Sequence, residues 1–122
     1  MRDTDIARST AVCRIAIGAG LLAAPGLAAR LWVGGHARET SARLFARAVG
    51  ARDIAIGAGT LIALANGEPA RRWLQAGLLA DATDLGATLA AGREIAPGPR
   101  AIVASIAGGA TLLGLRLVTA LE

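Results

Sequence analysis

The 122-residue chain has no lysine and no tyrosine, and it contains only one phenylalanine, two tryptophans, one cysteine and one histidine. A single cysteine, Cys13, excludes an intrachain disulfide, and neither Cys13 nor His36 has the companions that a metal site needs. We expect Cys13 to be a small buried apolar residue and His36 to lie in a solvated turn. The scarcity of aromatic rings is unlike the core of a typical soluble protein.

The positive charge comes from thirteen arginines, which are spread along the chain without a basic run and without interleaved aromatic residues. Nucleic-acid binding uses both of those features, so we expect no nucleic-acid partner. The sequence also contains no Gly-x-Ser-x-Gly, no His-Glu-x-x-His and no phosphate-binding loop. We therefore predict a protein that is not an enzyme and has no metal and no cofactor, with acid-base chemistry at Asp81 and Asp84 as an alternative.

Four apolar segments account for most of the chain, and we predict that they form one all-α domain over residues 1–122. The breaks between these segments contain proline or glycine, which end helices or begin them. The predicted helices cover about residues 6–24, 43–65, 69–91 and 100–121.

The first and fourth predicted helices lack the polar face that a soluble helical bundle presents to water. Between Ala101 and Leu115 the only polar side chains are Ser105 and Thr111, and residues 15–24 contain none. Glycine is costly inside soluble helices but common in transmembrane helices. The sequence therefore predicts a four-helix transmembrane bundle with antiparallel up-down connectivity and the lipid bilayer as a partner. A soluble bundle and a cleaved signal peptide are the alternatives.

Glycine and alanine recur throughout the predicted helices at the spacing that lets helix backbones approach closely. We predict helix packing at five glycines: Gly18, Gly20, Gly57, Gly59 and Gly109. The motif Ile-Ala-Ile-Gly-Ala-Gly occurs twice, at residues 15–20 and 54–59. It indicates either a duplicated helix unit, inverted in the membrane, or convergence on a glycine-rich packing face, and we favour convergence because the match is short.

Charged residues lie within the apolar segments, and Asp81 and Asp84 share one face near the middle of the third predicted helix. An arginine or aspartate at mid-helix costs about 2.5–3.5 kcal/mol in the membrane, while a leucine or isoleucine returns only about 0.3–0.6 kcal/mol. We therefore predict a neutral intramembrane cluster of paired charges: Arg14, Arg52, Asp53, Asp81, Asp84 and Arg116. Such a cluster either fixes the register of the helices or forms a path for a proton, an ion or a polar solute.

Three stretches of the chain resemble a group of small bacterial four-pass membrane proteins, grouped as a domain of unknown function and distantly similar to the DoxX-like membrane proteins. The stretches are residues 25–32 (PGLAARLW), residues 50–57 (GARDIAIG), and Asp84 followed by small residues. The positions that match the group's pattern are Arg52, Asp53, Gly57 and Asp84. The resemblance implies a multi-pass helical fold in the bacterial inner membrane, and it carries no established activity.

These observations predict an integral membrane protein with a non-enzymatic role as a small helper or scaffold subunit. The alternative is a carrier that conducts protons or a solute through Asp53, Asp81 and Asp84. A unit of this size is also expected to associate with copies of itself or with another membrane protein. Trp32 and Trp73 are expected near opposite membrane interfaces, and the balanced arginine content of the loops leaves the orientation open.

Overall fold

The computed structural model describes residues 2–121, and these residues form five α-helices and no β-strand. The helices are α1 (Asp3–Ala23), α2 (Pro25–Val33), α3 (Thr40–Ala65), α4 (Arg71–Ala91) and α5 (Pro97–Ala120). The all-α prediction is confirmed. The four predicted helices correspond to α1, α3, α4 and α5, with ends that differ by at most three residues.

Helix α2 lies where the sequence predicted only a loop. Helix α1 does end before Pro25, but Pro25 then occupies the first turn of α2, where a missing N–H costs nothing. The leucine, alanine and arginine residues that follow favour helix, and α2 ends at Gly34, which has a φ of +62°. The predicted loop was wrong because the proline that ends one helix also begins the next.

Helices α1 and α3 pack closely through glycines. A Cβ atom on Gly18 would lie 2.6 Å from the carbonyl oxygen of Gly50, and one on Gly57 would lie 2.7 Å from that of Ala11. These contacts occur in opposite order along the two helices, so α1 and α3 run in opposite directions. Gly18 and Gly57 thus lie where packing was expected, and Gly50 is a contact that the sequence analysis did not single out.

Helix α4 packs between α3 and α5. The indole ring of Trp73 covers Gly59 of α3, leaving no room there for a Cβ atom. On the α5 side, a Cβ atom on Gly114 would lie 3.4 Å from the Cβ atom of Leu78. Gly59 therefore belongs to a helix contact, and its partner is a large aromatic ring rather than a second backbone.

Gly20 and Gly109 do not pack against another helix, which corrects the expectation for these two positions. A Cβ atom on either residue would have no atom of another segment within 4 Å. Successive residues turn by about 100° around a helix, so Gly20 points away from the face on which Gly18 contacts α3. In α5 a Cβ atom on the neighbouring Gly108 would lie 4.0 Å from Cδ2 of Leu85 in α4, whereas Gly109 is exposed.

The connection between α2 and α3 lies at the same end of the molecule as the connection between α4 and α5. The Nε2 atom of His36 is 3.1 Å from the carbonyl oxygen of Glu94, and a Cβ atom on Gly34 would lie 3.6 Å from Pro99. Helix α4 therefore returns to the end from which α3 departs. His36 is exposed, as expected for a turn.

Small side chains fill the interior, and large apolar side chains cover the outside. Most of the buried apolar residues of the core are alanine, and the largest fully buried side chains among residues 2–121 are Leu117 and Thr88. In contrast, Leu112 is 71% exposed and Leu79 is 69% exposed. This distribution is typical of a lipid-facing surface, since a soluble protein rarely exposes such large apolar patches.

Three helices, α1, α3 and α5, are long and apolar enough to cross a membrane. Helix α4 is not among them, although its 21 residues equal the length of α1. Its sequence contains four charged residues: Arg71, Arg72, Asp81 and Asp84. The prediction of four membrane-spanning helices is thus supported for three of them by length and composition.

Candidate functional site

Five charged side chains from three helices meet inside the molecule, and we call them the ionic cluster. The cluster consists of Arg14 from α1, Arg52 and Asp53 from α3, and Asp81 and Asp84 from α4. Asp53 and Asp81 are each only 8% exposed. All five residues were predicted to cluster, and the structure shows which arginine contacts which aspartate.

Arg14 joins α1 to both other helices of the cluster. Its Nη1 atom donates to Oδ1 of Asp53 at 3.3 Å, and its Nη2 atom donates to Oδ2 of Asp81 at 2.5 Å. Charge-assisted hydrogen bonds of this kind are among the stronger polar contacts in proteins. One guanidinium group therefore fixes the positions of α1, α3 and α4 relative to one another.

Arg52 joins α3 to α4 by a bidentate contact. Its Nη1 and Nη2 atoms donate to the two carboxylate oxygens of Asp84 at 3.0 and 2.7 Å. The same guanidinium group also donates to Oδ1 of Asp53 through Nε at 3.2 Å and through Nη2 at 3.1 Å. Asp53 is thus shared by both arginines, and the five side chains form one continuous network.

Small residues make the space that the arginine side chains occupy. A Cβ atom on Gly77 would lie 3.3 Å from Nη2 of Arg14, so the guanidinium group rests against the bare backbone of α4. Gly77 is four residues before Asp81, which places both on the same side of α4. A glycine one turn from a carboxylate therefore lets α1 bring its arginine close to Asp81.

Arg116 lies outside the ionic cluster, which corrects the expectation that it belongs there. Its Nη2 atom donates to Oδ1 of Asp3 at 3.0 Å, and the Arg116 side chain is 61% exposed. Arg116 lies near the C-terminal end of α5 and Asp3 begins α1, so the two meet at one end of the molecule. Without Arg116, three carboxylates face two guanidinium groups, and the fully ionised cluster has a formal charge of −1 instead of the predicted zero.

Trp32 connects α2 to the carboxylate-bearing face of α4. Its indole Nε1 atom donates to the hydroxyl of Thr88 at 3.0 Å, and that hydroxyl donates to the backbone oxygen of Asp84 at 2.6 Å. The Trp32 ring also contacts Phe45 edge to face, with 5.9 Å between ring centroids. From the sequence, Trp32 was expected only to lie near a membrane interface. Its hydrogen bond to Thr88 could not be predicted, because the two residues are far apart in the chain.

A cavity of about 460 Å³ lies beside the ionic cluster. The lining includes four charged residues, Arg14, Asp53, Asp81 and Asp84, and most of the rest is apolar and comes from α1, α2 and α5. Cys13 also lines this cavity and is exposed, which corrects the expectation that it is buried. The sequence could not reveal the cavity, because its walls come from all five helices.

A second, much smaller cavity of about 30 Å³ adjoins the cluster. Arg14 and Asp81 line both cavities, so this ion pair is part of the wall between them. The small cavity has room for one water molecule, and Thr10 and Thr60 supply hydroxyl groups in its lining.

Within residues 2–121, no group of three or more histidine, cysteine, aspartate or glutamate side chains is arranged to hold a metal ion.

Comparison with known proteins gave no match to a family model, to a curated protein or to a solved structure. The resemblance of the segment around Arg52 and Asp53 to DoxX-like membrane proteins therefore stays a prediction.

Proposed function

We propose that this chain is a four-span integral membrane protein of the bacterial inner membrane, with α1, α3, α4 and α5 crossing in alternating directions. Helix α4 is the span that composition alone does not support. Its length of 21 residues corresponds to about 31 Å, close to the thickness of the hydrocarbon core. The connections at His36 and Glu94 lie at one end of the molecule, which supports a path for α4 across the full length of the bundle.

Of the four charges that lower the hydropathy of α4, the two carboxylates are neutralised by arginines of other helices and the two arginines lie at the helix end. Asp81 is bound by Arg14 and Asp84 by Arg52, while Arg71 and Arg72 lie in the first turn. Arginines at a helix end reach the interface with their long side chains, so they add little to the cost of insertion. Helix α4 thus enters the bilayer as part of the folded bundle, with its carboxylates already paired.

The role that the geometry favours is a non-enzymatic scaffold or helper subunit for another membrane protein. The observation that carries this proposal is the continuous network in which Arg14 and Arg52 hold three helices through three carboxylates, one of which, Asp53, binds both arginines. Within residues 2–121, no fully buried side-chain nitrogen or oxygen lacks a hydrogen-bond partner. Such a network fixes helix positions, which is what a rigid docking unit requires.

A proton-conducting carrier is the second candidate, because the Arg14–Asp81 pair is part of the wall between two cavities. Ionisable residues between internal cavities are the usual elements of a proton relay in a membrane. The two roles differ in what the purified protein does in a closed vesicle, so one assay separates them.

The test reconstitutes the wild-type chain and Asp81→Asn in liposomes that contain a pH-sensitive dye, and imposes a pH gradient. The scaffold role predicts that proton entry equals that of protein-free liposomes for both proteins. The carrier role predicts faster entry with wild type and a return to the protein-free rate with Asp81→Asn. Circular dichroism on the same samples shows whether both proteins are folded, and wild-type flux that Asp81→Asn abolishes without unfolding would overturn the scaffold proposal.

A further inference from the structure

We propose that the 460 Å³ cavity is a binding site for a lipophilic monovalent cation, such as an alkylamine or an alkylammonium compound. The inference goes beyond the scaffold role, and it rests on the proposed function only in placing the cavity within a bilayer. It combines three observations that are independent of one another: an apolar cavity, its opening toward the outer surface, and an excess of negative charge in its wall.

The walls of the cavity suit an apolar ligand body. Most of the lining comes from aliphatic side chains, including Leu21, Val103 and Ala107. Clefts of several hundred cubic ångströms with apolar walls and a few polar groups are the usual form of a small-molecule site. The cavity is therefore large and apolar enough for an alkyl chain or a compact hydrophobic group.

The cavity opens at the side of the molecule. Ile17 of α1, Leu31 of α2 and Ile106 of α5 line it, and all three are more than half exposed. In the proposed membrane orientation these residues face lipid, so an amphiphile enters sideways from the bilayer. These three residues at the opening are all apolar, as expected where the alkyl chain of a ligand enters from the lipid.

The polar part of the wall selects for positive charge. Asp53, Asp81 and Asp84 line the cavity together with one arginine, Arg14, whereas Arg52 binds Asp84 and Asp53 without lining the cavity. The whole ionic cluster has one carboxylate more than it has guanidinium groups. A single positive charge on a ligand would neutralise the cluster, and an uncompensated charge within a membrane protein is costly.

Two carboxylate oxygens are available to such a ligand. Within residues 2–121, Oδ2 of Asp53 and Oδ1 of Asp81 accept no hydrogen bond: Arg14 and Arg52 both bind Oδ1 of Asp53, and Arg14 alone binds Oδ2 of Asp81. In the described part of the chain no fully buried side-chain oxygen lacks a partner, so these two atoms are at least partly accessible. Both residues line the cavity, so an ammonium group bound there would lie beside carboxylates whose oxygens the arginines use only in part.

The experiment compares three ligands with the same ten-carbon tail: decyltrimethylammonium, decylphosphocholine and decyl sulfate. Binding to the full chain in phosphatidylcholine nanodiscs is measured by equilibrium dialysis, with empty nanodiscs as the blank. We expect one saturable site per chain for decyltrimethylammonium, with an affinity at least tenfold above that for the zwitterion. Equal affinity for all three head groups would mean that an acyl chain is the occupant, and would overturn the proposal.

Two substitutions test the site itself. Asp81→Asn removes the excess negative charge and is expected to weaken cation binding at least tenfold. Val103→Phe narrows the cavity without a change of charge and is expected to abolish saturable binding. The matched control is Leu112→Phe on the same helix, because Leu112 is 71% exposed and does not line the cavity.

Val103→Phe keeps the inference testable if Asp81→Asn does not fold, because it leaves the ionic cluster intact. Unchanged cation binding by folded Val103→Phe would overturn the inference. Other measurements test the proposed function. Proton flux in liposomes would contradict the scaffold role. A chain that stays folded and monodisperse in buffer without amphiphile would contradict the proposed location in a membrane. The two failures are therefore distinguishable.

Discussion

At the scale of single residues, Arg14 is the charged side chain that joins three helices. Its guanidinium group binds carboxylates of α3 and α4, and its own helix is α1. Because the cluster has an excess of one carboxylate, loss of an arginine and loss of an aspartate have different consequences. Without Arg14 three carboxylates face one guanidinium group, whereas without Asp81 two carboxylates face two.

Arg14→Gln is therefore expected to lower the free energy of unfolding by about 3–5 kcal/mol, the usual cost of breaking a buried ion pair from one side. Asp81→Asn is expected to cost less, since it leaves a neutral cluster. Arg116→Gln is the control, because its exposed pair with Asp3 is worth about 1 kcal/mol or less. Unfolding in mixed micelles with increasing dodecyl sulfate measures all three, and an equal loss for Arg14→Gln and Asp81→Asn would contradict the charge count.

His36 gives the chain a pH dependence outside the membrane-spanning helices. A hydrogen bond and the charge of Glu39 raise the pKa of His36, and a hydrogen bond to the backbone oxygen of Glu94 adds to the increase. The folded pKa thus lies above the unfolded value of about 6.5, so the stabilisation is complete below that pH and is lost as the pH rises through the folded pKa.

His36→Gln is accordingly expected to reduce thermal stability more at pH 5.5 than at pH 9. The effect is small, because the side chain of His36 is exposed and solvent screens its charge. Thermal unfolding of both proteins in detergent at the two pH values measures the difference. The same loss at both pH values would show that the imidazolium charge contributes nothing to the contact between the two connections.

At the scale of the helices, glycines decide how closely α1 and α3 approach. A Cβ atom on Gly57 would lie 2.7 Å from both the carbonyl oxygen of Ala11 and the Cγ1 atom of Ile15. The backbone of α1 cannot yield as a flexible side chain would, so the two helices would have to separate. Gly109, in contrast, has space around it.

Gly57→Ala is expected to destabilise the protein by about 1–3 kcal/mol, the usual cost of overpacking. Gly109→Ala is expected to be neutral or to stabilise it by up to about 1 kcal/mol, because alanine favours helix over glycine. Unfolding in mixed micelles compares the two variants. Equal effects would mean that intrinsic helix propensity, and not close packing, determines the role of these glycines.

For the whole molecule, the main prediction concerns the path of α4. If α4 crosses the membrane, the connections before α3 and after α4 lie on one side, and the connection between α3 and α4 lies on the other. If α4 does not cross, the connection before it and the connection after it lie on the same side of the membrane. The two cases differ in the accessibility of exposed positions at each connection.

In a Cys13→Ala background, single cysteines are introduced by Gly35→Cys, Glu68→Cys and Arg93→Cys, all at exposed positions. Sealed vesicles are treated with a membrane-impermeant maleimide. We expect the cysteines at positions 35 and 93 to be either both labelled or both protected, and the cysteine at position 68 to behave in the opposite way. The same labelling at 68 and 93 would contradict the four-span proposal. Labelling after detergent addition controls for the reactivity of each thiol.

Much of the architecture was predictable because it depends on local sequence. Helix lengths and breaks follow from apolar content and from residues such as Gly92 and Pro97, which act within one turn of the chain. The need to pair Asp81 and Asp84 followed from the cost of burying charge, whatever their partners. Helix α2 was missed because Pro25 is compatible both with the end of one helix and with the start of another.

The sequence by itself determined an all-helical chain with buried charges that require partners, since hydropathy and charge belong to each segment alone. Only the tertiary structure decided that Arg14 binds Asp53 and Asp81, and that Arg116 binds Asp3 instead. It also decided which glycines face a neighbour and where a cavity remains. Those properties depend on the rotation and offset of packed helices, and contacts between residues far apart in the chain fix both.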